Sequence, residues 1–171
     1  MKIRHATRDD MTRMMEIYDH ARTFMADHGN PNQWGPTSWP PQELIRRDIQ
    51  EGNSYVCEDD AGNVIGTFYY IYGKDVEPTY KVIDDGAWKD ESPYGVVHRI
   101  ASDHSRKGIG TFCIDWAYEQ CRHLRIDTHS DNTVMQGMLE KNGFVHCGTI
   151  YVYEDHYPRL AYEKSEAFKA G

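Results

Sequence analysis

The chain has 171 residues, 39% of them hydrophobic, a length and composition that suit one globular domain with a core of its own. Acidic side chains outnumber basic ones 27 to 19, for a formal net charge of −8, which disfavours DNA or RNA as a partner because nucleic-acid binders concentrate Lys and Arg. Met1-Lys2-Ile3-Arg4-His5 lacks the apolar run of a secretory leader, and no run of about 18 apolar residues is present to span a bilayer, so the expectation is a soluble, cytoplasmic protein with no membrane partner.

Lys2 to Ala6 reads as a short strand, and Thr7-Arg8-Asp9-Asp10 supplies capping groups and early acids for a helix. Met11, Met14, Met15, Tyr18, Ala21 and Met25 recur at three- and four-residue spacing, which makes one apolar stripe that Gly29-Asn30-Pro31 ends. NPNQWGPTSWPP is a loop by its Pro and Gly content, yet it carries Trp34 and Trp39, which suggest the wall of a pocket. PQELIRRDIQEG then reads as a short helix closing at Gly52. Ser54 to Glu58 and Val64 to Tyr72 read as paired strands, joined by Asp59-Asp60-Ala61-Gly62-Asn63, the residues a hairpin turn wants.

Gly73 to Pro93 is polar, turn-rich and too long for a simple connection; it is expected to be a functional loop or flap, with a further small hairpin around Asp85-Gly86, and is a candidate dimer contact. YGVVHRIAS returns to strand character. Ile109, Phe112, Cys113, Trp116, Ala117 and Cys121 then form a helical stripe, and LRIDTH alternates as a fifth core strand. SDNTVMQGMLEKNG is a helix capped by Ser130, Asp131 or Asn132 and closed by Gly143, and FVHCGTIYVYE and YPRLAYEKS are two last strands. The order β-α-α-β-β-β-α-β-α-β-β predicts a mixed α/β layer structure. Cys57, Cys113, Cys121 and Cys147 have neither C-x-x-C spacing nor any other metal pattern, and read as buried free thiols.

Between the fourth strand and its helix, SRKGIGT packs two basic residues and two glycines into a corner. Glycines at this spacing let backbone N–H groups converge, and the positive end of the helix dipole points at the same place, so the guest implied is a phosphate or pyrophosphate. Arg106 and Lys107 oppose the dipole at that end; a solvated basic turn is the bland account, and an anionic ligand the better one. A P-loop is ruled out because Lys107 precedes the glycines, and a dinucleotide fingerprint is weak because no third glycine follows Gly108-Ile109-Gly110.

Strand, turn, RKGIGT and long helix resemble the pyrophosphate-binding segment of the GNAT superfamily of acetyl-CoA-dependent N-acetyltransferases, whose usual form is Gln or Arg, two residues, Gly, one residue, then Gly or Ala; Ser105 stands at the Gln/Arg position. DTHSDNTVMQGMLEKNGF is similar to the family's second segment, where an Asn begins a helix ending in Gly-Phe, and the element order agrees over nearly the whole chain. The resemblance implies one GNAT domain over residues 1–171: a mixed, mostly antiparallel sheet of about seven strands, splayed between strands 4 and 5 and flanked by helices. It implies acetyl-CoA as co-substrate, with no metal, and N-acetylation of a primary amine on a small molecule or amino-acid-like acceptor.

In that frame the backbone of Ile100, Ala101 and Ser102 pairs with the pantetheine arm, and the N–H groups of Arg106, Lys107, Gly108, Ile109, Gly110 and Thr111 hold the pyrophosphate. Asn132 bonds the pantetheine and Lys141 approaches the CoA phosphates. Two departures from the family stand out. The connection from Ala101 to the glycines is about two residues shorter than usual, with Asp103-His104 making the tight turn, and Leu139 replaces the tyrosine that protonates the departing thiolate in many members. Tyr151 is the substitute donor, unless the thiolate, with an ordinary pKa of about 8.5, leaves without one.

His98 falls where the arylalkylamine branch of the family carries a histidine implicated as base, with His129 second; the competing account for each is a hydrogen-bonded structural histidine. His5, His20, His28, His104, His123, His146 and His156 read as structural or surface. The acceptor regions of the family point to Gln33, Trp34, Trp39, Trp88, Tyr151 and Tyr153, an aromatic lining that favours an apolar body or cationic centre unless the tryptophans are simply core. Two alternatives stay open: a catalytically inactive CoA-binding module, which the missing tyrosine would suit, and a nucleotide-binding regulatory domain.

Overall fold

The structure is a computed structural model that describes residues 1–153, 155 and 157–168; the expectation for His156 falls outside them. Eleven elements follow in the predicted order: β1 (Lys2–His5), α1 (Met11–Asp27), α2 (Gln42–Gln50), β2 (Ser54–Glu58), β3 (Val64–Gly73), β4 (Tyr94–Ser102), α3 (Ile109–Cys121), β5 (His123–His129), α4 (Thr133–Lys141), β6 (Val145–Tyr151) and β7 (Pro158–Ser165). The seven strands form one mixed sheet in the order β1-β2-β3-β4-β5-β7-β6, and β4 runs parallel to β5. By contact density the chain divides into two compact units. One holds Met1–Tyr70 and His98–Trp116, the other Ile71–Val97 and the residues from Ala117 onward.

In the first unit, β1, β2 and β3 are an antiparallel meander. The β2–β3 turn closes because the Asp59 carboxylate accepts N–H bonds from Ala61 (3.0 Å) and Asn63 (2.9 Å), the role Asp has in such turns. Helix α1 is entered through a 3-10 turn at Arg8–Asp10, whose Asp10 carboxylate accepts from the Thr7 N–H at 2.8 Å and pairs with Arg4 at 2.8 and 2.9 Å. Its stripe buries Met14, Ile17, Tyr18, Ala21 and Met25, so Ile17 joins the predicted set. With Ala6, Ile45, Val56, Val64 and Ala101, the side chains of Met14, Ile17, Tyr18 and Ala21 make a core, and Met11, Met15, Trp34 and Ile49 pack at its edge. The ring of Trp116 on α3 lies 4.9 Å from that of Tyr55 and 5.8 Å from those of Phe68 and Tyr70.

In the second unit, β7 pairs antiparallel with both β5 and β6, and β4 meets β5 at Gly95–Leu124 and Val96–Arg125. The small hairpin expected at Asp85-Gly86 does not form. Instead Asp84 exchanges backbone bonds with Thr149 of β6 (2.9 and 2.8 Å), and the Ala87 N–H donates to the Cys147 carbonyl at 3.0 Å. A bulge in β6 between His146 and Gly148 presents that carbonyl, and Gly86 accommodates it, because a Cβ there would lie 1.9 Å from the Cys147 oxygen. Long-range pairing therefore replaces the local turn.

The rest of the 73–93 loop is tied down by charge. Glu163, wholly buried on β7, accepts from His123 Nε2 (2.7 Å), Arg125 Nε (3.0 Å) and the Lys89 N–H (2.7 Å). Arg125 is stacked with its guanidinium carbon 4.3 Å from the Trp88 ring centre and 4.1 Å from that of Tyr94, and donates to the Asp90 carbonyl at 2.6 Å. Burial alone would raise the Glu163 pKa, yet the bonds from His123, the Lys89 N–H and Arg125 hold it below the ordinary carboxylate range. Of the four cysteines, Cys57, Cys113 and Cys147 are buried and Cys121 is half-buried, and none is paired in a disulfide.

Candidate active site

The glycine corner lies in the first unit and is built as its residues require. Asp103 makes the tight turn: its carboxylate accepts the Ser105 N–H at 2.9 Å and the Arg13 guanidinium at 2.6 Å, while His104 takes φ +56°. Gly108 sits at φ +85°, a left-handed conformation that a side chain resists, and its carbonyl accepts the first bond of α3, from Phe112 at 2.9 Å. Beyond Gly108 and its two chain neighbours, no heavy atom of the described residues lies within 4 Å of where a Cβ of Gly108 would be. Ser105, Arg106, Lys107 and Gly108 are exposed. Ile109 is 2% exposed, and its side chain fills the space over Gly66, so it anchors the helix in the core and leaves only its backbone for a ligand. The N–H groups of the first turn of α3 have no carbonyl one turn back within the helix, and exposed Arg106 and Lys107 lie beside them.

The second feature of this unit is in β4. Arg99 has φ +52° in mid-strand, where a residue with a long side chain is strained. Three neighbours fix it. Its Nε and Nη2 donate to Asp48 at 3.1 and 2.8 Å, its guanidinium carbon lies 4.5 Å from the Tyr69 ring centre, and its carbonyl accepts from the Tyr18 hydroxyl at 3.1 Å. Burial raises the pKa of the Asp48 carboxyl, and the adjacent Arg99 opposes that shift. Burial also raises the Tyr18 hydroxyl, which stays a neutral donor. His98, half-buried, has its ring 5.9 Å from that of Tyr69, so the base candidate and the clamped arginine share one aromatic neighbour. Ile100 and Ser102 are half-buried, and Ala101 belongs to the core.

Gln33, Trp34 and Trp39 are brought together in one loop around a 3-10 turn at Gly35–Thr37, where the Trp39 N–H donates to the Trp34 carbonyl at 3.0 Å. Trp34 meets the Tyr18 ring edge-on at 5.9 Å and packs against the core, so core packing accounts for its position. The Gln33 side chain accepts from buried Asn30 at 2.9 Å, and Arg22 donates to the Trp39 carbonyl at 2.9 Å.

The remaining candidates belong to the second unit. His129 is 3% exposed; its Nδ1 accepts from the Asp131 N–H at 3.0 Å, which leaves the proton on Nε2, and Nε2 is buried without a hydrogen-bond partner among the described residues. Burial first, then Arg159, lowers its pKa, against Asp131 and Asp155, so the ring is held neutral. Of the three capping candidates Asn132 is the cap: its side-chain oxygen accepts the Met135 N–H at 3.1 Å. Lys141 is exposed in the last turn of α4, where a cation suits the helix dipole on its own account. Leu139 is fully buried and supplies no proton. Tyr151 and Tyr153 are exposed. Trp88 donates from its indole N–H to the Tyr80 carbonyl at 2.8 Å, faces Arg125 and packs against the core around Tyr80 and Tyr94, which is a structural position.

Sequence reasoning passed over three residues in the first unit. Tyr18 was absorbed in the apolar stripe of α1. Asp48 carried a signal: on α2 it lies three residues after buried Ile45, a charge on the buried face that needs a partner. Arg99 is unremarkable in a strand until its φ is known. Among the described residues no cluster of three or more His, Cys, Asp or Glu is placed to hold a metal, and no helix is long and apolar enough to cross a membrane.

A mixed sheet in which β4 runs parallel to β5, with a glycine corner leading from β4 into α3, fits the fold that the sequence resemblance implies, and comparison with known proteins agrees. The model of the acetyltransferase (GNAT) family matches residues 11–144. The chain belongs to that family. A GNAT-family acetyltransferase from Streptococcus agalactiae is similar in structure, with a TM-score of 0.86 and 29% identity over 96% of this chain and 95% of that one. One from Listeria monocytogenes superposes with a TM-score of 0.68 at 16% identity, over 95% and 93% of the two chains. A ribosomal-protein-alanine N-acetyltransferase from Brucella melitensis gives 0.61 at 19% identity, over 96% of each. The last two likenesses concern the fold alone. None of the curated proteins matches the chain.

Proposed function

We propose that the protein transfers the acetyl group of acetyl-CoA to a primary amine of a small-molecule or amino-acid-like acceptor, by direct attack in a ternary complex. The observation that carries this reading is the corner at Ser105–Thr111. There a left-handed Gly108 with open space before it, exposed Arg106 and Lys107, and the start of a 13-residue helix converge on one anion position. Backbone N–H groups from Arg106 to Thr111 hold the pyrophosphate, Ile100 to Ser102 take the pantetheine, and Asn132 and Lys141 are assigned to the same cofactor by the family pattern. His98 removes a proton from the acceptor ammonium. The free amine then attacks the thioester carbonyl: the C–N bond forms, an N–H near Ile100 stabilises the oxyanion, and the C–S bond breaks. As the amide forms, the attacking nitrogen gives up its second proton, and the thiolate takes one from Tyr151, which the nitrogen's proton restores, or from solvent. Gln33, Trp39 and Tyr153 are the acceptor-side candidates, the positions of Trp34 and Trp88 being accounted for by packing, and the net charge of −8 favours the approach of a cationic amine.

A second reading, a CoA-binding module without catalysis, has one observation in its favour: Leu139, at the family's tyrosine position, is buried and aprotic. Calorimetry with acetyl-CoA, CoA, NAD and ATP, followed by thiol release from acetyl-CoA over a panel of amines, separates the readings. Binding of both CoA species with amine-dependent thiol release is expected. Binding without release from any amine favours the module, and preference for NAD or ATP overturns both.

A further inference from the structure

Arg99 is the one residue of β4 with positive φ, and everything around it acts to keep it there. At φ +52° the strand loses its alternation, so the Arg99–Ile100 peptide no longer continues the ladder direction of the residues before it. Such a conformation is strained and persists only where the surroundings over-determine it. Here they do. The Tyr18 hydroxyl holds the carbonyl of that very peptide at 3.1 Å, and the buried Asp48 carboxylate takes two bonds from the guanidinium, which lies over the Tyr69 ring. Asp48 and Arg99 side chains are 5% and 11% exposed, so the pair is shielded from solvent and from exchange with other partners.

Three elements, α1, α2 and β3, thus converge on one peptide unit, and that unit carries the Ile100 N–H. A donor fixed before the reaction is what an acyl transfer needs where negative charge develops on the carbonyl oxygen. We infer that Tyr18 and Asp48 are positioning residues which, acting through Arg99, hold the Arg99–Ile100 peptide so that its N–H faces the thioester carbonyl. The inference rests on the proposed acetyl transfer. Neither residue touches substrate: Tyr18 is 1% exposed and its hydroxyl is bonded to backbone.

The test uses Tyr18→Phe, Asp48→Asn, and Asp48→Asn combined with Arg99→Gly, each in the full-length protein. Two quantities are read: kcat against the Kd for acetyl-CoA, and the infrared stretch of the isotope-labelled thioester carbonyl in the bound cofactor. In the wild type the stretch should lie below its value in water. Tyr18→Phe and Asp48→Asn should lower kcat by about tenfold, the worth of one misdirected hydrogen bond, while Kd changes less than twofold and the stretch returns toward the solution value. Glycine accepts φ +52° without strain, so the double variant should recover kcat relative to Asp48→Asn alone.

Outcomes against the inference are an unchanged carbonyl stretch in folded variants, a loss carried wholly by Kd or by acceptor KM, or a double variant as poor as the single. If wild type binds acetyl-CoA with no shift of the stretch, the inference falls while the proposed activity stands on turnover. If wild type does not bind acetyl-CoA, the activity falls and this inference with it.

Discussion

Gly108 gives a way to separate the shape of the corner from what it holds. Its φ of +85° penalises any side chain through the backbone, whereas the empty 4 Å around its missing Cβ imposes no steric penalty in the free protein. Gly108→Ala therefore loses only conformational energy, about 1–2 kcal/mol, which for a chain of this size lowers Tm by about 2–4 °C per kcal/mol. Gly108→Asn loses less, because Asn tolerates the left-handed region, but it places a larger side chain in the space in front of the helix. Stability should thus fall in the order Gly, Asn, Ala. Affinity for acetyl-CoA should fall in the order Gly, Ala, Asn, with Asn weaker than wild type by more than tenfold, or about 1.4 kcal/mol. Thermal unfolding of the free protein and calorimetry with acetyl-CoA give the two orders. If affinity follows stability, or all three proteins bind alike, the open space before Gly108 is not where the pyrophosphate lies and the corner is only a turn.

Gly86→Ala would set a methyl 1.9 Å from the Cys147 carbonyl oxygen, so the 73–93 loop or the β6 bulge must move; a loss of about 2 kcal/mol or more is expected in chemical denaturation, and a neutral result would refute that contact. His129 is held neutral, with a folded pKa below its unfolded one, so its contribution is whole above about 6.5 and is lost as pH falls from there through the folded value. Tm should drop between pH 7 and pH 5, and the drop should shrink in His129→Gln; carboxylates such as Glu163, held low by hydrogen bonds despite burial, respond only at lower pH. His98→Gln should remove the acidic limb of kcat/KM and lower its plateau by roughly 10²-fold; retention of both would exclude His98 as the base and make His129 the next to test.

Much of the architecture was legible because its causes are local. The stripe of α1, the Asp59-to-Asn63 turn, the Asn cap of α4 and the glycine corner each depend on residues within one or two turns of each other, and periodicity with capping chemistry finds them. The corner also carries the family resemblance, since Gly108 is needed for a backbone conformation that no other residue takes as easily. The Asp85-Gly86 hairpin failed for the opposite reason. Its residues suit a turn, but Gly86 answers to a carbonyl 61 positions later, at Cys147, and no local rule sees that contact.

The same division runs through the candidate site. By itself the sequence determined which segment resembles the family's phosphate-binding corner, that Leu139 cannot donate a proton, and that no cysteine has a partner at metal-binding spacing. Only the tertiary structure decided that Asp48, Tyr18 and Tyr69 meet at Arg99, that Trp34 is packed against Tyr18, and that Glu163 is the buried acceptor for His123 and Arg125. Those groupings join residues 16 to 81 positions apart, as with Tyr18 and Trp34 at 16, His123 and Glu163 at 40 or Tyr18 and Arg99 at 81. A buried charge in the sequence announces that it needs a partner, because desolvation forbids leaving it alone, but which residue answers is decided by how helices and strands cross in space.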